Sequence, residues 1–448
     1  MRKMRSSPCD RHIERINEMQ EKQMQAIRSI LTHELRPAMG CTEPIAVAYT
    51  AALARNLLGT MPKHMIVRCS GNIVKNVKGV TVPNSGGQKG IDTAAIMGML
   101  SGRSDMELEV LSTIQPEDLP QVNQLRESGM CECQLAEGVP NLYIEIRVEA
   151  DKESAVVAIQ DSHTNLVKKV KNGQVLFEKN VMSEDDAAQL AQRYLNVESI
   201  LEYAQTESME MLHTLLDEQV RDNWAIAMEG LESSYGAGVG RSLLKHRDQK
   251  EWKVYCRAAA AAGSDARMNG CALPVVINSG SGNQGITVSV PLIAYAKQAD
   301  CAEEKLYRAL AISNLLALHQ KKYIGKLSAF CGAISASAAA GAAMAWLQGC
   351  EAETVVKVLV NTLAIAGGIL CDGAKASCAA KIAAGLETAW TSLELAQQGY
   401  QFPAGEGLMA QSPEDTIRSF GYVAREGMRQ TDVEILKLMT GETKFECI

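Results

Sequence analysis

From Ser183 almost to its end the sequence keeps a helical pattern, and its most apolar stretches are built from small residues. Runs such as Ala258–Ala262 and Ala336–Ala343 put little side chain between neighbouring backbones, so helices that carry them pack closely. Aromatic residues make up only 4% of the chain, while methionines number 20. The core must therefore be filled by close helix contacts and adaptable thioethers rather than by stacked rings. With 448 residues and 46% hydrophobic content, two or three lobes are expected.

The N-terminal part follows the same logic. Ile16, Met19, Ile27, Ile30, Leu31 and Leu35 recur near a 3.6-residue period, which predicts a helix over 14–36 closed by Pro37. A second helix opens at Thr42-Glu43-Pro44, with a capping hydroxyl, an acid at the positive end and a proline in the first turn. It runs to Leu58. Helical sequence returns at Ala94–Leu100. Met65–Cys69 reads as a short β-like run.

Between about Leu108 and Phe177 the pattern changes. Leu142–Val148, Ser154–Ile159 and Gln174–Phe177 read as strands separated by Asp, Asn and Gly turns. The fold class expected is α+β, predominantly α-helical: a helical core with a smaller α+β lobe. The expected division is an N-terminal helical segment with a glycine-rich loop (1–106), the small lobe (107–180) and a helical domain (181–448).

Charge and composition exclude several classes of partner. The net charge is −7 and no Lys/Arg block is present to neutralise phosphates, so no nucleic acid is expected; a local basic pocket can still hold a small anion. The apolar stretch Ala329–Leu347 is rich in Ala, Gly and Ser and reads as a buried helix, so no membrane association is expected. The charged N-terminus lacks the apolar core of a secretory signal, which points to a cytoplasmic protein. In that reducing compartment the 13 cysteines are not expected to form disulfides, and most read as small buried hydrophobes. The small-residue helix faces suit a homodimer.

Two cysteine settings stand apart. Cys371-Asp-Gly-Ala-Lys-Ala-Ser-Cys378 places two thiols seven residues apart around Gly373, and upstream Cys331 precedes Gly332. A glycine beside a thiolate lets backbone approach a bulky inorganic group and offers it N–H donors. The spacing matches neither a zinc ribbon nor a ferredoxin run. On spacing alone, cluster ligands and structural cysteines both remain open. Cys41 precedes a helix N-terminus, where the dipole is expected to lower a thiol's pKa and ready it as base or nucleophile. A passive loop cysteine is the other reading.

Two glycine loops echo one another, Pro83–Ile91 and Val276–Ile286. Either they face each other across a cleft, or Asn-Ser-Gly strings are simply turn chemistry. Backbone donors with hydroxyl and amide side chains suit the carboxylate of a small substrate, and neither loop fits a nucleotide-binding pattern. The seven histidines show no metal-ligand spacing and read as surface or satisfied core residues. Lys375 and Lys381 are present, but nothing marks either as a Schiff-base lysine for pyridoxal phosphate.

Taken together, Gly40-Cys-Thr-Glu-Pro44, Ser70-Gly-Asn72 with Pro83-Asn-Ser85, Ser279-Gly-Ser-Gly-Asn-Gln-Gly285, and Cys331 with Cys371–Cys378 resemble the L-cysteine desulfidase family. That family is related to the α part of iron–sulfur L-serine dehydratases, and the likeness runs from about Arg28 to Arg429. The resemblance implies a [4Fe-4S] cluster held by Cys331, Cys371 and Cys378 with one iron open, and Cys41 as proton acceptor. It implies a small amino-acid substrate broken down to pyruvate, ammonia and sulfide. From residue chemistry, Ser279, Asn283, Gln284, Asn84 and Ser85 are candidate substrate contacts. Cys447, next to last, invites comparison with the C-terminal cysteine that caps the open iron in dehydratase relatives. An L-serine dehydratase with the same cluster, or a non-enzymatic iron–sulfur sensor, are the alternatives.

Overall fold

The computed structural model describes residues 8–179, 193–245, 247–325 and 327–442, with side chains described from residue 21 onward. Cys447 lies outside the described residues. The architecture is α+β and predominantly helical, with one mixed sheet of six strands and a separate two-stranded ladder. Among the described residues, no helix is long and apolar enough to cross a membrane.

The six-stranded sheet has strands in the order β3-β2-β4-β5-β6-β7, where β2 is His64–Cys69, β3 Cys131–Leu135, β4 Tyr143–Ala150, β5 Glu153–Gln160, β6 Leu166–Lys171 and β7 Gln174–Glu178. β2 and β3 are parallel; the remaining neighbours are antiparallel. Alternation along β4 buries Ile144, Ile146, Val148 and Ala150 on one face, and helix Thr42–Leu58 packs against β4 and β5. The sheet takes β2 from the N-terminal segment, so it spans the boundary expected near residue 106. β3 and β6 are strands that the sequence pattern did not mark.

The small-residue runs act as expected from their composition. Gly98, in helix Ile91–Ser101, lies so close to helix Thr42–Leu58 that an added Cβ would sit 2.0 Å from the Ala48 carbonyl oxygen. Overpacking of that kind costs about 1–3 kcal/mol. Gly230 meets Ala262 in the same way, joining helix Met209–Glu232 to helix Trp252–Met268. Helix Gly332–Leu347 is buried along most of its length, between helices Gly282–Gln298, Glu303–Ile324, Ala352–Ala366 and Cys378–Gln397.

One small element joins the two halves of the chain. β1 (Pro37–Met39) pairs antiparallel with β8 (Pro274–Val276), Ala38 lying opposite Val275. This ladder brings the Gly40–Pro44 segment, from the first 50 residues, beside the glycine loop that follows β8. The Thr42 hydroxyl fixes the junction by donating to the Gly280 carbonyl at 2.9 Å.

Candidate active site

A cavity opens where these segments meet, and Cys41, Cys331, Cys371 and Cys378 all line it. Four helices present their N-terminal ends to it. Cys41 caps Thr42–Leu58, Ser281 caps Gly282–Gln298, Cys331 caps Gly332–Leu347, and Cys378 begins Cys378–Gln397. Each end carries partial positive charge, so together they favour thiolates and anionic ligands.

The three C-terminal cysteines are held by backbone. Cys331 N–H donates to the Ile369 carbonyl at 2.9 Å and Cys371 N–H to the Ala329 carbonyl at 2.7 Å, flanking a Phe330–Leu370 bridge. This two-way clasp sets the Cys331 and Cys371 loops side by side. Gly373 has φ +95°, and a Cβ there would lie 2.3 Å from the Lys75 carbonyl oxygen, so only glycine lets the loop approach helix Gly71–Lys78. Hydrogen bonding from Cys331 pulls the Cys371 thiol down and pushes Cys331 itself up; burial opposes the lowering, and the nearby Lys75 and Lys381 add to it. Asp372 ties the loop to Lys375 and Lys381. Burial alone would raise its carboxyl, but the two ammonium groups hold it at about 2.

Cations surround these thiols. Lys75 is 2% exposed, ion-paired to Asp432 at 2.5 Å and 3.4 Å from the Cys371 carbonyl. Lys321 is buried in the cavity wall, and burial pulls its ammonium down to about 8. Among the described residues, no three His, Cys, Asp or Glu side chains close around a single metal ion. Three thiols, glycine cradles, cationic side chains and helix N-termini around one shared cavity instead suit a larger, anionic, cysteine-ligated group.

On the opposite wall Cys41 is 1% exposed and donates its thiol proton to Glu43 Oε2 at 3.1 Å. Burial pushes this thiol well above its ordinary range, and the neighbouring Glu43 carboxylate pushes the same way. The lowered pKa expected from the helix N-terminus is therefore corrected: desolvation and a carboxylate at contact outweigh the dipole. Gly40 makes the geometry possible. Its φ is +59° and a Cβ would lie 2.2 Å from Pro83 Cγ.

Glu43 is buried at the centre of a small network. Its Oε1 accepts from Asn76 at 3.3 Å and stands 3.9 Å from His163 Nε2. Burial would raise this carboxyl, but His163, Cys41 and Arg267 outweigh it and hold it at about 2. His163 belongs to the β5–β6 turn, so the small lobe contributes directly to the site. Its ring fits against Gly280, where a Cβ would come within 3.1 Å.

Ser279, Asn283 and Gln284 line the cavity as well. Ser279 adopts φ +51°, uncommon for a non-glycine residue, and its hydroxyl donates to Asn278 Oδ1 at 2.9 Å. Asn283 Oδ1 accepts from Arg267 at 3.2 Å. Gln284 Oε1 is buried without a partner.

Asn84 and Ser85 do not line the cavity. Asn84 donates to the Leu111 carbonyl at 3.0 Å, 27 residues further along the chain, and Ser85 closes its own turn by donating to the Gln88 carbonyl at 3.0 Å. Both side chains are engaged in these bonds rather than in the cavity lining. Conversely, Arg267, His163, Lys321 and Lys75 are site residues that sequence reasoning passed over, and Glu43 was read only as a helix-start acid. The segment Gly40–Pro44 held the signal for Glu43; no spacing marks the others.

The serine dehydratase alpha chain family matches residues 105–437, a span that includes all three C-terminal cysteines. A UPF0597 protein of Finegoldia magna is 45% identical over 93% of this chain and 99% of its own length. One from Lachnoclostridium phytofermentans is 44% identical over 92% and 98%, and one from Phocaeicola vulgatus 35% identical over 92% and 97%. With the match covering most of the length and the cysteine wall of the cavity, this chain belongs to the serine dehydratase alpha chain family.

Proposed function

We propose that this protein is an iron–sulfur carbon–sulfur lyase, an L-cysteine desulfidase, that breaks L-cysteine down to pyruvate, ammonia and sulfide. The observation that carries the reading is the pairing of two walls in one cavity: Cys41 hydrogen-bonded to Glu43, and Cys331, Cys371 and Cys378 grouped near Lys75, Lys321 and Lys381. Cys331, Cys371 and Cys378 would hold a [4Fe-4S] cluster, with helix N-termini and lysines offsetting its negative charge. When bound, that group supplies a Lewis-acidic iron to assist departure of the substituent on Cβ.

The rest is work for the chain's own residues. Cys41 takes the α-proton of the substrate, the Cβ–S bond breaks with its electron pair leaving on sulfur, and aminoacrylate is released to hydrolyse to pyruvate and ammonia. A desolvated thiolate is hard to form but strongly basic once formed, which suits a weakly acidic C–H. Cys41 is the base once its resting proton has left to solvent; Glu43, whose carboxyl is held at about 2, accepts the thiol's hydrogen bond and positions the sulfur. Ser279, Asn283 and Gln284 orient the substrate at the start of helix Gly282–Gln298.

An L-serine dehydratase is the second reading, favoured by the description of the matching family. Only the leaving group differs. Protein purified without oxygen, reconstituted with iron and sulfide and assayed on L-cysteine and L-serine separates the two. Pyruvate with sulfide from cysteine supports the desulfidase, a preference for serine moves the protein to the dehydratase, and a reconstituted cluster without turnover of either overturns both.

A further inference from the structure

Arg267, in the last turn of helix Trp252–Met268, is only 2% exposed and lines the same cavity as Cys41. A guanidinium is always charged and carries five N–H donors. Here one donor reaches Asn283 Oδ1, Nε is buried without a partner, and no carboxylate pairs with the group among the described residues. The Glu43 carboxylate acts on this guanidinium only from beyond ion-pair distance, and a buried charge without a carboxylate at contact is costly, so its place suits an anion that arrives from outside. The group is also fixed in place: a Cβ on Gly282 would lie 2.2 Å from Arg267 Nε, so glycine at this helix start makes room for the fork. On the same loop, the buried and unpartnered Gln284 Oε1 is an acceptor. A donor fork that meets one amide oxygen and no carboxylate, with an unpaired acceptor at the same helix start, matches the two ends of an α-amino acid.

We infer that Arg267 is the anchor for the substrate's α-carboxylate, oriented by Asn283, with Gln284 Oε1 receiving the substrate ammonium. The assignment rests on the lyase reading for its substrate and extends it to the recognition of a free, zwitterionic α-amino acid. Arg267 also acts electrostatically on Cys41 and Glu43, so a carboxylate held there brings Cα to the proposed base.

The test uses the cluster-loaded enzyme and two unreactive probes: L-alanine, which has both charged ends, and ethylamine, which lacks the carboxylate. Calorimetric titration should show that wild-type protein binds L-alanine and not ethylamine. Arg267→Gln should weaken L-alanine binding and raise the KM for L-cysteine by about 100-fold, with a much smaller change in kcat. Asn283→Asp keeps the arginine but gives it an internal counter-ion, and should weaken L-alanine binding at least about tenfold. If Arg267→Gln fails to fold, the Asn283→Asp result decides. L-alanine affinity unchanged in the folded variants, or ethylamine bound as well as L-alanine, overturns the assignment. Arg267-dependent L-alanine binding in a protein that releases no pyruvate from either substrate would sink the lyase reading while leaving the anchor. Turnover with an unchanged KM in Arg267→Gln would do the reverse.

Discussion

Cys41 Sγ donates to Glu43 Oε2 at 3.1 Å, from the N-cap of a helix into its own first turn. Thr42 Oγ1 stands 3.1 Å from the same oxygen and 2.9 Å from the Gly280 carbonyl, so the pair is anchored to the loop across the cavity. With the carboxyl held at about 2 and the thiol pushed up, the proton rests on sulfur and the negative charge on Glu43. Glu43→Gln removes the ionised acceptor that holds the Cys41 thiol in place. It should lower kcat about 100-fold through misplacement of the sulfur, while KM and the visible absorbance of reconstituted protein change little. Steady-state kinetics with a matched absorbance spectrum check this, and a variant retaining more than a tenth of wild-type kcat would remove Glu43 from the positioning of Cys41.

His163 gives the same carboxylate a pH signature. Glu43 must stay ionised to accept the thiol's hydrogen bond at full strength, and His163, 3.9 Å away, is the first of the neighbours that hold it at about 2 against its burial. His163→Asn removes that support, so the carboxyl should rise and protonate at higher pH. The acid limb of kcat/KM should move upward by about 1 pH unit or more. Activity on the alkaline side should survive. A profile that scales down uniformly without shifting would reduce His163 to packing.

The helices were legible because they carry their signals locally. Small-residue runs, a capping threonine and Pro44 announce their own structure, and the helix expected from Thr42 to Leu58 is found over that span. β6 was missed because Leu-Val-Lys-Lys-Val-Lys does not alternate, and β3 because it is largely exposed and owes its place to pairing with β2. The four cavity thiols stood out because each adjoins a glycine or a helix start. Arg267 did not, since in sequence it is one charge at the end of an alanine-rich helix. His163 lies 120 residues after Glu43, and only the fold brings the β5–β6 turn to that helix. Asn84 and Ser85 were read as substrate contacts, whereas their side chains bond the Leu111 and Gln88 carbonyls away from the cavity.

Gly373 is a position where backbone geometry and cofactor retention are predicted to fail together. Its φ of +95° strains any substitution, and a Cβ would collide with the Lys75 carbonyl oxygen. Gly373→Ala should therefore cost about 2–3 kcal/mol and displace the loop between Cys371 and Cys378. Gly405 supplies the comparison: its φ is +92°, but nothing lies within 4 Å of its added Cβ. Gly405→Ala should lower the melting temperature less and leave iron content unchanged. Equal iron content in both variants would mean that the loop does not hold the metal.

Cysteine identity offers the sharpest separation between ligands and packing. Cys69 and Cys256 are as deeply buried as Cys331, yet neither lines the cavity. A ligand must ionise to bind iron, and helix N-termini and lysines adjoin Cys331, Cys371 and Cys378 in the cavity, whereas Cys69 lies within β2 and Cys256 within helix Trp252–Met268. Single alanine substitutions at Cys331, Cys371 and Cys378 should each abolish bound iron and acid-labile sulfide after anaerobic reconstitution. The same substitution at Cys69 or Cys256 should cost only about 1 kcal/mol of packing and leave both contents at wild-type level. Cys41→Ala belongs with the second group for iron and with the first for activity. Full iron content in any one of the three proposed ligand variants would exclude that residue and reopen the search for the cluster's third thiolate.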